Sequence, residues 1–131
     1  MTFDEICEQV MFQTNNDVDD LPDFEPHLAD YINEGYDILV HNYTGKHVAT
    51  DSEYPPLRKM NEQMEKPDVP LLPEYAHRAL ADYATYMVYR NGNTVKQNRG
   101  MAFYSAFLQV VSKLAFERES AGRQFKNIYS R

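Results

Sequence analysis

The sequence predicts an all-α protein, a small antiparallel bundle of about four helices with a long irregular loop between the second and the third. Three observations predict it. Apolar residues recur at i, i+3 and i+4 in four separate segments, each segment is bounded by capping or turn residues, and no stretch alternates with the period of two that marks a strand. No internal repeat divides the 131 residues, and that length suits one domain.

The first helix carries Phe3, Ile6, Cys7, Val10 and Met11 on one face, and Thr2 with Glu5 forms the pattern of a capping box at its start. It gives way to Asn15-Asn16-Asp17-Val18-Asp19-Asp20, an acidic turn sequence without a helical stripe. Pro26 suits the first turn of a second helix over residues 26–44, with Asp23 and Glu25 near the positive end of its dipole. Leu28, Tyr31, Ile32, Leu39, Val40 and Tyr43 mark its buried face, and Gly45 stands where a C-terminal cap belongs.

Residues 46–72 lose the pattern, because Pro55, Pro56, Pro67 and Pro70 interrupt them and only residues 57–65 have room for one or two helical turns. Long irregular connections in small domains are usually functional. The apolar residues of this one, Val48, Tyr54, Leu57, Met60, Met64 and Val69, are few and irregularly spaced. It is therefore expected to be mobile in the free subunit and ordered when a partner supplies contacts.

Pro73 opens a third helix with Ala76, Ala79, Leu80, Tyr83 and Met87 on one face, and Asn91-Gly92-Asn93 ends it. Thr94 with Gln97 offers another capping box. A fourth helix is expected from residue 95 to about 118, burying Met101, Tyr104, Ser105, Leu108, Val111 and Ala115. The short connection makes the last two helices an antiparallel hairpin. After Gly122 a basic, apolar tail follows, expected to pack on its own bundle or on a neighbour.

Composition excludes several classes of function. No apolar run approaches the roughly 18 residues of a membrane span, and the acidic N-terminal segment lacks the positive charge of an export signal, so residence in the cytosol is expected. The single Cys7 forms no intramolecular disulfide and reads as a packed core thiol, with Asp4, Glu5 and Glu8 opposing its ionisation. The charge is unevenly spread: residues 1–89 contain 18 acids and 5 bases, whereas residues 90–131 contain 2 acids and 8 bases. With a net charge of −7, the chain is a poor candidate for holding a nucleic-acid backbone, which requires phosphate neutralisation.

No catalytic pattern stands out, and no enzymatic activity, cofactor or metal is expected. The histidines at 27, 41, 47 and 77 lack the i, i+4 spacing that aims two rings at one metal. Glu74 and His77 make one Glu-x-x-His step, and a di-metal bundle needs a second. The acidic stretch from Asp17 to Glu25 lacks the glycine and the terminal glutamate of a calcium-binding EF-hand loop. The glycines stand singly, so there is no phosphate-cradling loop. Aromatic residues are plentiful, with 10 tyrosines and 7 phenylalanines. Tyr83, Tyr86 and Tyr89 cannot all share one helix face, so at least one of them is expected to reach a surface suited to assembly.

Two stretches carry a resemblance: FDEICEQVMFQTNNDVDDLPDFEPHLADYINEGYDIL and LPEYAHRALADYATYMVYRNGNTVKQNRGMAFYSAFLQVV. The more telling features are Leu72-Pro73 before an Ala/Tyr-rich helix, then Asn91-Gly92-Asn93, Lys96-Gln97, Arg99-Gly100 and Phe103-Tyr104. In these the chain resembles the small head-to-tail connector (adaptor, or head-completion) proteins of tailed bacteriophages and prophages. The resemblance implies a structural subunit, made in the host cytoplasm and placed in the virion neck. It would join a ring beneath the portal, contact the portal and tail-completion proteins, and let DNA pass without sequence-specific binding. By position, Lys46, His47, Tyr54, Arg58 and Lys59 in the loop are the expected partner contacts, with Arg118, Arg123, Phe125, Lys126 and Tyr129 at the C-terminal end. Two other readings are open: a small helical regulatory module of a prophage or host that binds one protein partner, and a metal-dependent helical enzyme built on Glu74 and His77.

Overall fold

The computed structural model describes residues 1–14, 27–48 and 51–129, with side chains described as far as Ser120. Four α-helices follow one another: α1 (Phe3–Gln13), α2 (Leu28–Thr44), α3 (His77–Arg90) and α4 (Thr94–Tyr129), with a 3-10 turn, Glu74–Ala76, leading into α3. There is no strand among the described residues. The architecture is the all-helical one that the periodicity predicts.

Local chemistry sets the ends. The Thr2 hydroxyl accepts from the Glu5 amide at 3.2 Å and the Glu5 carboxylate accepts from the Thr2 amide at 3.0 Å, the reciprocal capping box read from the sequence. Gly45 ends α2 in the left-handed conformation with φ 81°, where a Cβ would be strained. The start of α4 differs from expectation. Asn93, not Thr94, caps it, its side chain accepting from the Lys96 amide at 3.0 Å. Gln97 turns back instead to donate to the Arg90 and Gly92 carbonyls, at 3.3 and 3.1 Å. Pro26 and the acidic turn lie outside the described residues.

The core forms around α3, which touches the other three helices. Phe3, Ile6 and Val10 of α1, Leu28, Ile32, Tyr36, Leu39 and Val40 of α2, Ala76 at the entry to α3, and Ala79, Leu80, Ala81, Tyr83 and Ala84 of α3 are all buried. On α4 the buried set is Gly100, Phe107 and Leu114. The face expected from the sequence is thus turned. Met101, Ser105 and Leu108 are exposed, while Tyr104, Val111 and Ala115 are partly buried.

The reason for the turn is an aromatic seam. Tyr83 meets Phe107 with ring centroids 4.8 Å apart, Tyr86 stacks on Tyr104 at 4.3 Å, and Tyr89 lies 6.4 Å from Phe103. All three tyrosines of α3 therefore have aromatic partners on α4; Tyr83 and Tyr89 are buried, and Tyr86, half-buried, is the one that reaches the surface. Aromatic pairs of this kind contribute about 0.5–1.5 kcal/mol each beyond their buried area, and they accompany the rotation of α4 that leaves Met101 and Leu108 outside.

α4 also runs on through Gly122 to Tyr129 where a separate tail was expected. One glycine costs a helix about 1 kcal/mol relative to alanine, and the surrounding Ala, Arg, Gln, Phe and Lys residues sustain the helix across it.

The seam depends on Gly100, whose backbone approaches α3 so closely that an added Cβ would sit 2.9 Å from Tyr89 Cβ. Gly100→Ala gains about 1 kcal/mol of helix propensity but overpacks a contact that has no flexible end to move, at a cost of about 1–3 kcal/mol. The variant is expected to unfold at lower urea concentration than the wild type with unchanged helicity.

Candidate assembly surfaces

Two surfaces hold the residues expected to meet partners. The first is the connection from residue 46 to 72, which forms no helix among its described residues; in the stretch 57–65 there is one turn, in which the Met64 amide reaches the Asn61 carbonyl at 3.2 Å. It is held to the bundle at several points. Val48 and Leu57 belong to the core, Tyr54 packs against it and Pro70 is buried. The Asp37 carboxylate accepts from the Val48 amide at 2.8 Å, and the Tyr36 hydroxyl accepts from the Leu71 amide at 3.0 Å.

Asn33 of α2 clamps the Leu57 backbone from both sides, accepting from its amide at 2.7 Å and donating to its carbonyl at 2.9 Å. From α1, the Phe3 amide donates to the Asp68 carbonyl at 2.9 Å and the Asp4 carboxylate accepts from the Met60 amide at 3.2 Å. The expectation of a loosely held loop is corrected accordingly: its anchors are polar side chains of α1 and α2 gripping its backbone, and a hydrophobic pattern does not display them.

The predicted contact residues on this loop fall at different places. Lys46 pairs with Asp51 at 3.4 Å and Glu53 at 3.2 Å, two neighbours that hold its ammonium above the usual lysine range. His47 stacks on His41 with centroids 4.4 Å apart and lies 3.4 Å from Asp37. Arg58 is engaged with Asp68 through its backbone amide at 2.8 Å and its guanidinium at 3.3 Å, and Lys59 is exposed. Tyr54 faces inward, so it supports the loop rather than presenting it. Between Tyr36, Pro55, Leu57, Lys66, Pro67 and Leu71 opens a groove of about 290 Å³.

The second surface is α4. Arg118 donates to the His41 carbonyl at 3.0 Å, placing a cation at the negative end of α2. Arg123, Phe125, Lys126 and Tyr129 lie on the last turns of α4, beyond the described side chains. The sequence reading missed the outward face of this helix. Met101, Leu108 and Phe116, exposed by 52%, 42% and 62%, form a row with Ser105 and Ser112 between them. At about 100° per residue this row lies well over a quarter turn from Phe107 and Leu114. The signal was in the sequence as a second apolar spacing, 101, 108 and 116, beside the buried spacing of 100, 107 and 114.

Of the Glu-x-x-His step, His77 is buried and engaged within the subunit. Both His77 nitrogens have partners, Nε2 on the Leu72 carbonyl at 2.9 Å and Nδ1 on Met1 N at 2.9 Å, while Glu74 lies 3.5 Å away and is largely exposed. No group of three metal-ligating side chains occurs among the described residues. Cys7 is half-buried, and burial together with Asp4 pushes its thiol up to about 11. No helix among the described residues is long and apolar enough to cross a membrane.

No known family model, curated protein or solved structure matches the chain.

Replacing Asn33 with Ala leaves the Leu57 amide and carbonyl without their partners, at a cost of about 1–3 kcal/mol. Tryptic cleavage after Arg58 and Lys59 should accelerate about tenfold for each 1.4 kcal/mol lost, with the helices remaining resistant. Alkylation of Cys7 should rise with pH to a midpoint near 11 rather than 9, which a pH series with iodoacetamide followed by mass measurement reads directly.

Proposed function

We propose that the chain is a structural subunit of a phage or prophage head-to-tail connector, assembling as a ring beneath the portal, joining it to the tail-completion proteins and letting DNA pass. The observation that carries this reading is a two-sided subunit. Asp82 and Thr85 of α3 bond to Gln13 of α1, whereas Tyr83 and Tyr86 meet α4, so α1 and α4 pack on adjoining flanks of the same helix, with Tyr89 between them.

The two sides are chemically opposite. α1 contains Asp4, Glu5 and Glu8 and no base, and α2 contains Asp30, Glu34 and Asp37 and neither lysine nor arginine. α4 carries six bases, Lys96, Arg99, Lys113, Arg118, Arg123 and Lys126, against Glu117 and Glu119. A closed ring of identical subunits joins one face of each to a different face of the next, and opposite charge on those faces fixes which pairs with which. The resemblance of the two helical stretches to connector proteins supports the same reading. Net negative charge suits a conduit, since a strongly basic wall would retain the DNA it must release.

The test is sedimentation and negative-stain imaging of the concentrated protein, alone and with the portal protein of the same phage or prophage. Association is expected to grow with concentration, to weaken as salt shortens the screening length from about 10 Å at 0.1 M to about 3 Å at 1 M, and to yield rings on the portal. A chain that remains monomeric at millimolar concentration and ignores the portal would instead be a regulatory module with a single protein partner.

A further inference from the structure

We infer that the Asn91-Gly92 step between α3 and α4 is a site of spontaneous deamidation, and that Gln97 is the latch that holds it closed in the folded chain. The reactants are two neighbouring groups of the chain and water, so the inference goes beyond the assembly reading and does not depend on it.

Glycine follows asparagine at this one position in the sequence. Conversion begins when the Gly92 nitrogen attacks Cγ of the Asn91 side chain. The nitrogen gives its proton to solvent base, a bond forms between it and Cγ, and the side-chain nitrogen takes a proton from solvent and leaves as ammonia. A five-membered imide remains. Water then opens it at either carbonyl, giving aspartate or an isoaspartate whose main chain runs through the former side chain. Ammonia is lost, water is gained, and nothing is oxidised or reduced. A glycine favours the attack because it has no side chain to crowd the nitrogen and leaves the backbone free to turn. Asn91 is exposed, so water and base reach it.

The fold holds the step in an unreactive geometry. Ring closure requires the Gly92 nitrogen to lie on the same side of the Cα–C bond as Asn91 Cβ. At φ −90° and ψ 2°, that nitrogen is eclipsed with the main-chain nitrogen of Asn91 instead. Its proton is also engaged, donated to the Tyr89 carbonyl at 3.0 Å.

Gln97, in the first turn of α4, fastens the connection on both sides of Asn91. Its side-chain amide donates to the Arg90 carbonyl at 3.3 Å and to the Gly92 carbonyl at 3.1 Å. Lys96 lies against the glycine, so closely that an added Cβ there would sit 2.7 Å from Lys96 Cδ. The rotation that closure needs therefore waits for a local opening of the turn. Such an opening breaks two or three hydrogen bonds at once, which makes it rarer by about tenfold to a hundredfold. Isoaspartate would lengthen the main chain between Tyr89 and Gly100, which meet across the aromatic seam, so the latch protects the join on which that seam depends.

The test follows the tryptic peptide of residues 91–96, released by cleavage after Arg90 and Lys96. The full chain is incubated at mildly alkaline pH, folded or in urea, then unfolded and digested. Fragmentation assigns the mass gain to Asn91 or Asn93, and chromatography separates the aspartate and isoaspartate forms. In urea, Asn91 should convert faster than any other asparagine, and Gly92→Ala should suppress it. The folded wild type should convert about tenfold more slowly or less. Gln97→Ala, at an exposed position, should remove most of this protection with helicity unchanged, whereas Asn98→Ala beside it should convert at the wild-type rate. Conversion in urea that does not favour Asn91 overturns the site. A folded chain that converts as fast as the unfolded one, a Gln97→Ala chain as protected as the wild type, or equal acceleration by Asn98→Ala overturns the latch.

Discussion

Because α3 is enclosed by three other helices, its side chains have to satisfy three sets of neighbours at once, and this constraint governs most of what surrounds it. Alanines at 79, 81 and 84, all essentially buried, let helices approach it, and Leu80 fills the space toward the core. The side toward α4 is different. There the tyrosines at 83, 86 and 89 form a ladder, and α4 accepts it with Phe103, Tyr104 and Phe107 and with a glycine at the closest point. Packing density in interiors leaves little tolerance for misplaced volume. Once the ladder is seated, α4 has only one rotation available, and Met101, Leu108 and Phe116 are turned out to solvent as a consequence.

The sequence displays what depends on local chemistry. The Thr2–Glu5 box, the Gly45 stop and the apolar faces of α1, α2 and α3 could all be read from spacing alone, because the groups that satisfy one another lie within one or two turns. The face of α4 could not. Two apolar rows run along that helix one position apart, and choosing between them requires knowing that three tyrosines on another helix need aromatic partners. The cap of α4 was displaced by one residue for a related reason: Asn93 and Thr94 are both good capping residues, and Gln97 had better acceptors in the Arg90 and Gly92 carbonyls. The loop was misjudged because its stability comes from Asn33, Asp37, Asp4 and Tyr36, whose contacts span up to 56 residues of chain. Of the candidate surfaces, the charge asymmetry was plain in the sequence, while which of the two apolar rows of α4 faces outward emerged only from the packing.

Charge and packing are coupled through what each helix leaves unanswered. Within the subunit, acids of α1 and α2 are put to structural use: Asp4, Asp37 and Glu5 accept backbone amides, and Glu34 accepts from the buried Tyr83 hydroxyl at 2.5 Å, a bond that with burial raises the tyrosine. A backbone amide or a phenol is a neutral donor, so these bonds place no opposite charge beside the acids. The intramolecular role of these groups therefore leaves their negative field in place. On α4, Arg118 is similarly committed to the His41 carbonyl, a neutral acceptor, and so its positive charge also persists. Ion pairs inside the subunit, Lys46 with Asp51 and Glu53 and Arg58 with Asp68, lie in the loop, so the opposite charges of α1 and α4 would be left to orient an approaching copy in the ring proposed above.

Such a field orients more than it binds. Exposed ion pairs contribute about 0–1 kcal/mol each, so the grip of any contact between copies has to come from apolar area. The outward row of α4 offers only three large apolar side chains separated by serines. A continuous apolar surface there would increase the grip but would also invite indiscriminate aggregation of free subunits. Serines at 105 and 112, and Glu119 exposed three residues past Phe116, interrupt the row. In the ring proposed above, such a subunit would stay dispersed while single and gain a stable contact when several copies are held side by side, since each bound neighbour raises the effective concentration of the next. Weakness of the individual contact would then confine assembly to a template, and the tyrosine ladder, by setting the rotation of α4, is what turns Met101, Leu108 and Phe116 outward.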